Sequence, residues 1–168
     1  NMDIEGEIRA KDVVNEWSED SLVAILKGFG EERYSKSIAR AIVAYRQTQE
    51  ITTTFELVDI IKSAVPSNYR HGKIHPATKT FQAIRIAVNN ELVELETVIT
   101  DAVSLLKENG RLMIITFHSL EDRIVKNQFK QLQEKNIGRI ITKKPIIPTS
   151  EEVHINPRSR SAKLRIFQ

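Results

Sequence analysis

Phe117–Lys126, FHSLEDRIVK, places a histidine, a serine, two carboxylates and an arginine directly after the apolar run RLMIIT. Imidazole and carboxylate groups at the carboxyl end of a strand can orient a ligand or move its protons, and open α/β sheets bind ligands there. His118, Ser119, Glu121 and Arg123 are therefore site candidates for their polar ends. A structural account of the same residues stays open. Ser119 could cap the following helix with Asp122 at its third position, while Glu121 pairs with Arg123 or Lys126. A hydrolase triad is not indicated: Ser119 lies in no G-x-S-x-G elbow, and sequence neighbours rarely meet as nucleophile and base.

Other chemistries find little support. The chain has no cysteine, which excludes disulfides and thiolate metal sites. His71, His75, His118 and His154 show no metal-ligand spacing, so no metal is expected. G-x-G-x-x-G, P-loop and H-E-x-x-H patterns are all missing. The GFG of residues 28–30 closes a helix instead of following a strand, and reads as punctuation.

The elements that must position these residues fall into two regimes. From Lys11 to about Val65 the pattern is short helices. Ser18 is a plausible N-cap ahead of Leu22, Ile25 and Leu26. A helix over about 31–47 carries Tyr34, Ile38, Ile42 and Tyr45 at helical spacing. Thr53 and Glu56 form a capping box before a stripe of Phe55, Val58 and Ile61, which Pro66 ends. Residues 67–80 read as a polar, basic loop, with Pro76 in the first turn of the next helix. That helix keeps three-and-four spacing from Phe81 to Leu106, through Ile84, Val88, Leu92, Leu95, Ile99 and Ala102. The run 111–117 suits a strand covered on both faces. A helix over about 120–134 follows, then two further strands at 138–144 and 162–168. The order resembles the last third of a doubly wound sheet.

Composition sets the outer bounds. With 168 residues, 40% hydrophobic and 28% charged, the chain is an ordinary globular one of one domain or two small ones. No apolar stretch is long enough for a bilayer and no signal peptide is evident, so a cytoplasmic protein with no membrane partner is expected. The net charge of +3 is unevenly distributed. Residues 1–32 hold nine acids against three bases, 33–90 nine bases against three acids, and 138–168 seven bases against two acids. Basic stretches separated by an acidic one suit a polyanion partner, although solvated helix faces would look the same.

Five segments resemble one family closely: FGEERYSKSIARAIV (29–43), ITTTFELVDIIKSAVP (51–66), HPATKTFQAIRIAVNNEL (75–92), GRLMIITFHSLEDRIVK (110–126) and NPRSRSAKLRI (156–166). They resemble, in order and over nearly the whole chain, the bacterial ribosomal RNA small-subunit methyltransferase H family. The resemblance implies methyl transfer from S-adenosylmethionine (SAM) to the exocyclic 4-amino group of a decoding-site cytosine in small-subunit ribosomal RNA. It also implies a Rossmann-like methyltransferase sheet interrupted by a helical substrate domain. On that reading, residues 11–70 are the helical substrate-recognition insertion and residues 76–168 the carboxy-terminal part of the sheet domain. The fold class expected is α/β.

The family's first strands, its Gly-Gly-His-type SAM loop and its acidic ribose-binding position have no counterpart here. The resemblance therefore implies a carboxy-terminal portion, with no cofactor-binding residue in this chain and no SAM binding or catalysis by it alone. A non-catalytic RNA- or ribosome-binding module is the alternative. Phe117, His118, Ser119 and Glu121 would wall the active site, with Phe117 or His118 stacking on or hydrogen-bonding the base. His75, Lys79, Arg85, Arg123, Arg158, Arg160 and Lys163 would contact RNA, unless the arginines pair with acidic helix faces instead. The apolar 111–117 strand, left with an open edge, implies a homodimer or pairing with the missing amino-terminal half.

Overall fold

The computed structural model describes residues 8–168, a helix-rich α/β chain with one small antiparallel sheet. It divides into two compact units that meet in sequence at Asn90–Glu91.

In the first unit the helices are α1 (Ala10–Glu16), α2 (Glu19–Gly28), α3 (Ser35–Arg46), α4 (Thr54–Ala64), the short α5 (Ser67–Arg70) and α6 (Thr78–Asn89). Their apolar stripes share one core, which includes Val13, Leu22, Leu26, Ile38, Ile42, Ile61 and Ile84. Ser18 caps α2 by accepting the Ser21 N–H at 3.1 Å. At α4, Thr53 accepts the Glu56 N–H at 3.2 Å and Glu56 accepts the Thr53 N–H at 2.8 Å, the expected reciprocal box.

Four expectations change here. Helix α3 starts at Ser35, not 31, because Glu31 adopts a left-handed φ of 47°. The buried Glu32 carboxylate then accepts the Tyr34 N–H and the Tyr69 hydroxyl, each at 2.8 Å. Phe55 faces solvent at 81% exposure, and the buried stripe of α4 is Leu57, Ile60 and Ile61. The 67–80 loop contains α5, and Pro76 precedes α6 instead of sitting in its first turn. Finally, the long helix breaks at Asn90, whose φ of 51° only Gly, Asn and Asp adopt readily. A one-residue break leaves the three-and-four spacing of apolar residues almost intact, so periodicity does not register it. The two compact units accordingly meet at 90–91.

Gly30 sits at a close approach of backbones. A Cβ there would lie 2.7 Å from both the Leu26 and Lys79 carbonyl oxygens. Gly30→Ala should therefore destabilise this unit by about 1–3 kcal/mol. Urea unfolding followed by Trp17 fluorescence reads it directly, since the chain's tryptophan lies in α1's C-cap. An unchanged midpoint would contradict the close approach.

The second unit contains α7 (Glu91–Ser104), β1 (Leu112–Thr116), α8 (Ser119–Glu134), α9 (Ser150–Ile155), a 3-10 turn (Pro157–Ser161) and β2 (Lys163–Phe167). Strands β1 and β2 pair antiparallel, with Leu112 opposite Phe167, Ile114 opposite Arg165 and Thr116 opposite Lys163. Strand period places these six side chains on one face. Leu112, Ile114 and Phe167 join Ile99 of α7 and Val125, Phe129 and Leu132 of α8 in a core. On the other face Met113 and Ile115 stand 62% and 58% exposed. The expectation of a strand covered on both faces is thus corrected: α7 and α8 line only one.

Residues 138–144 do not form a regular strand either. Ile140 and Ile146 bridge Phe167 and Leu164, and between them the Thr142 hydroxyl accepts the Ile166 N–H at 2.9 Å. That side-chain bond replaces a backbone rung and interrupts the ladder. The other edge of β1 has no strand partner among the described residues.

Candidate functional site

Strand β1 ends at Thr116, and two residues later the chain turns into α8. The cap is His118, not Ser119. His118 Nδ1 accepts the Glu121 N–H at 3.3 Å, and Glu121 Oε2 accepts the N–H groups of Phe117 at 2.8 Å and His118 at 3.2 Å. This is a capping box with an imidazole in the serine's place. Ser119 is instead the first residue of α8, exposed to solvent.

The box selects a tautomer. An Nδ1 that accepts carries no proton, so the neutral ring holds its proton on Nε2. The His118 side chain is only 10% exposed, and Nε2 lies 3.2 Å from Glu121 Oε1 without hydrogen-bond alignment. A Glu91 carboxylate completes the group, the three ligand-type atoms lying within 4.8 Å of one another. A cation at Nε2 would need the lone pair that this tautomer has replaced by N–H. The trio gathers one imidazole and two carboxylates at the start of α8. Phe117 stands beside it, 55% exposed.

One turn into α8, Asp122 anchors the helix to the sheet. Its Oδ1 accepts Arg165 Nε at 2.7 Å, and its Oδ2 accepts Arg165 Nη2 at 3.2 Å and Lys163 Nζ at 3.3 Å. The β1–β2 register makes this possible, since Lys163 and Arg165 share the inner face with Thr116 at β1's carboxyl end. Asp122 and Arg165 are both buried, at 9% and 7% exposure. The clamp fixes the start of α8 against the sheet and thereby fixes His118.

Burial alone would raise the Asp122 carboxyl, but hydrogen bonds and charge from Arg165 and Lys163 outweigh it and hold it below the ordinary aspartate value. Glu121 behaves likewise. Burial opposes ionisation, and the His118 imidazole with the Phe117 and His118 N–H groups more than compensates. Both folded values are depressed, so both contribute stability that is present above the ordinary carboxyl range near pH 4 and lost as pH falls through the folded values. Protection of β1 and β2 amides from hydrogen exchange should therefore fall steeply as pH drops from 5 to 3, after correction for intrinsic exchange. Asp122→Asn should flatten that fall, and an equally steep fall in the variant would contradict the assignment.

The remaining candidates are dispersed. Arg123 lies exposed on α8, and Arg158 and Arg160 belong to the 3-10 turn, where Arg160 donates to the Pro157 carbonyl at 3.2 Å. Lys163 is held by Asp122. His75, Lys79 and Arg85 lie in the first unit. There His75 Nδ1 accepts the Ala77 N–H at 3.3 Å, and Lys79 donates to the Glu31 carbonyl at 2.9 Å. Arg85 projects from α6 to solvent. Glu91 and Arg165 are site residues that sequence reasoning missed. The alternation of Lys163, Arg165 and Phe167 is the signal that placed Arg165 on the core face.

All of residues 1–168 match the model of the MraW methylase family. The chain belongs to that family. It is 54% identical over 165 residues to the ribosomal RNA small subunit methyltransferase H of Sulfurihydrogenibium sp. (strain YO3AOP1), covering 98% of this chain and 56% of that protein. It is 51% identical to the Clostridioides difficile (strain 630) protein of the same name, covering 99% of this chain and 58% of that one. The Treponema denticola counterpart is 49% identical, covering 100% and 59%. This MraW-family chain thus spans somewhat more than half the length of these curated relatives. No described helix is long and apolar enough to cross a membrane.

Proposed function

We propose that this chain is the acceptor-side portion of a SAM-dependent methyltransferase that modifies the 4-amino group of a cytosine in small-subunit ribosomal RNA. The observation that carries the reading is the assembly at the end of β1, an exposed aromatic ring beside a clamped, buried imidazole. It is supported by relatives named for ribosomal RNA methylation that match these residues from end to end. The helices of residues 8–90, with His75, Lys79 and Arg85, serve RNA recognition. Residues 91–168 form the wall against which the target base is held.

SAM supplies an electrophilic methyl group when bound, but the residues here do not fit its cradle. Strand β1 runs into Phe117 and not into a glycine turn that would let backbone approach a ligand. The carboxylate at that end, Glu121, is already taken by backbone N–H groups. We assign the cofactor site to the part of the relatives that these residues do not span.

What this chain contributes is position. A base extruded from its stack is recognised by stacking and by hydrogen bonds to its edge. Phe117 supplies the stacking face, and His118, its Nε2 buried beside Glu121 and Glu91, holds the turn that presents the ring. Arg158 and Arg160 lie on a separate turn with hydroxyl neighbours, suited to phosphate.

The test is equilibrium binding of the chain to a labelled, cytosine-containing single-stranded RNA. Base–aromatic stacking contributes about 1–3 kcal/mol per base, so Phe117→Leu should weaken binding roughly 5- to 100-fold. Arg158→Ala with Arg160→Ala should weaken it and make its salt dependence shallower. Equal affinity for the wild type and Phe117→Leu would remove the base from this wall.

A further inference from the structure

Beyond the Asp122 clamp, the far half of α8 and the irregular 138–144 segment enclose a groove of about 220 Å³. One wall is Lys126, Lys130 and Gln133, at helical spacing on α8, and the other is Thr142 and Lys143. Phe129 and Ile140 form its floor, and the inner end reaches Arg165. The lining has four cationic side chains and no acid.

Their pairing is unequal. Arg165 is bound to Asp122. Lys130 has a loose 3.5 Å contact with Glu134, both side chains being more than 60% exposed. Lys126 and Lys143 have no hydrogen-bond or ion-pair partner among the described residues, and Arg139 and Lys144 extend the basic character along the same segment. Two unpaired ammonium groups lining one groove repel unless an anion lies between them. A run of phosphates fits better than a single anion, because the cations are spread along the groove and not convergent. At 1.5 Å rise per residue, Lys126 to Gln133 lie roughly 12–22 Å along α8 from His118. A contact there meets nucleotides flanking the target and not the target base.

We propose that this groove holds the phosphate backbone of the substrate RNA beside the methylated cytosine, with Lys126 and Lys143 as its principal contacts. The proposal rests on the RNA-directed reading above. It adds a positioning surface on a different part of α8 from Phe117 and His118, outside the basic positions recognised from sequence.

The test is fluorescence anisotropy of the 168-residue chain with a labelled 20-nucleotide single-stranded RNA, repeated between 50 and 200 mM salt. Each phosphate contact to a single strand contributes about 0.7 to the slope of log affinity against log salt. Lys126→Gln with Lys143→Gln should therefore make the slope shallower by about 1.4 and lower affinity at 50 mM salt. Lys126→Arg with Lys143→Arg should keep both near wild type. Both positions are exposed, and circular dichroism confirms that the variants fold. An unchanged slope in the glutamine variant, with Phe117→Leu still weakening binding, would overturn the groove and leave the base-holding wall standing. No RNA binding by the wild type would overturn both. Polyglutamate bound as tightly as RNA, with the same dependence on the two lysines, would also overturn the proposal by making this an acidic-peptide surface.

Discussion

Replacing Arg165 by methionine should destabilise the second unit by about 3 kcal/mol. The substitution keeps the volume of the side chain but leaves Asp122 with only Lys163, a partner at 3.3 Å whose own side chain is 38% exposed. Removing one member of a buried ion pair typically costs about 3–5 kcal/mol, because the other charge remains without compensation. The retained lysine places the effect at the lower end. Removing both charges is a different matter. Asp122→Asn with Arg165→Met leaves no buried ion, and a double-mutant cycle should show about 1–3 kcal/mol of coupling between the sites. The probe must be chosen with care, since Trp17, Tyr34, Tyr45 and Tyr69 all precede residue 90. Ring absorbance and fluorescence therefore report the first unit. Hydrogen exchange of the β1 and β2 amides reports the second, and additive losses there would show that Asp122 and Arg165 do not act as a pair.

The second large effect concerns the bare face of β1. Met113 and Ile115 on β1, and Phe117 just beyond it, stand more than half exposed, the outer edge of β1 has no strand partner among the described residues, and Ile146 and Ile147 are exposed in the same unit. Apolar strand edges of this kind pair with whatever chain offers the complement. For the 168-residue chain alone a second copy is expected to supply it, so light scattering at tens of micromolar should give twice 19.2 kDa. Ile115→Lys places a charge in the middle of the exposed face and should weaken association at least tenfold, since burying an isoleucine is worth about 1.5–3 kcal/mol. Ile115 faces away from the α7–α8 core, so the β1 and β2 amides should stay protected in that variant. A wild-type monomer at that concentration would contradict the expectation.

Much of this was legible in the residue order. Ser18 with its acidic first turn, and Thr53 with Glu56, announce α2 and α4 because capping is local chemistry between residues three apart. The strands at 112–116 and 163–167 are visible as apolar or alternating runs. The position of FHSLEDR at a strand-to-helix junction follows from the same pattern, and the five segments identify the family.

What was not legible depends on distance or on unusual local roles. His118 caps α8 although serine is the commoner cap and stands next to it, because the Glu121 carboxylate reaches the N–H groups of residues 117 and 118 and fixes the frame one residue earlier. Asp122 and Arg165 lie 43 residues apart, and only the antiparallel register joins them. Asn90 interrupts a helix without disturbing its apolar spacing. Thr142 breaks a strand through a side-chain bond to a residue 24 positions away.

In the proposed function Phe117, held by the His118 cap, positions the acceptor base for methyl transfer. The most direct measurement exchanges residues 1–168 for the matching segment of the Sulfurihydrogenibium relative and follows transfer of labelled methyl groups from SAM to small-subunit ribosomal RNA. Two variants of that hybrid isolate the chemistry. His118→Asn keeps a good helix cap and removes the imidazole, while Phe117→Leu keeps an apolar side chain and removes the ring. The hybrid should methylate a single cytosine, and each variant should lower kcat/KM at least tenfold with the fold intact. A hybrid whose rate is unaffected by both substitutions would contradict the proposal.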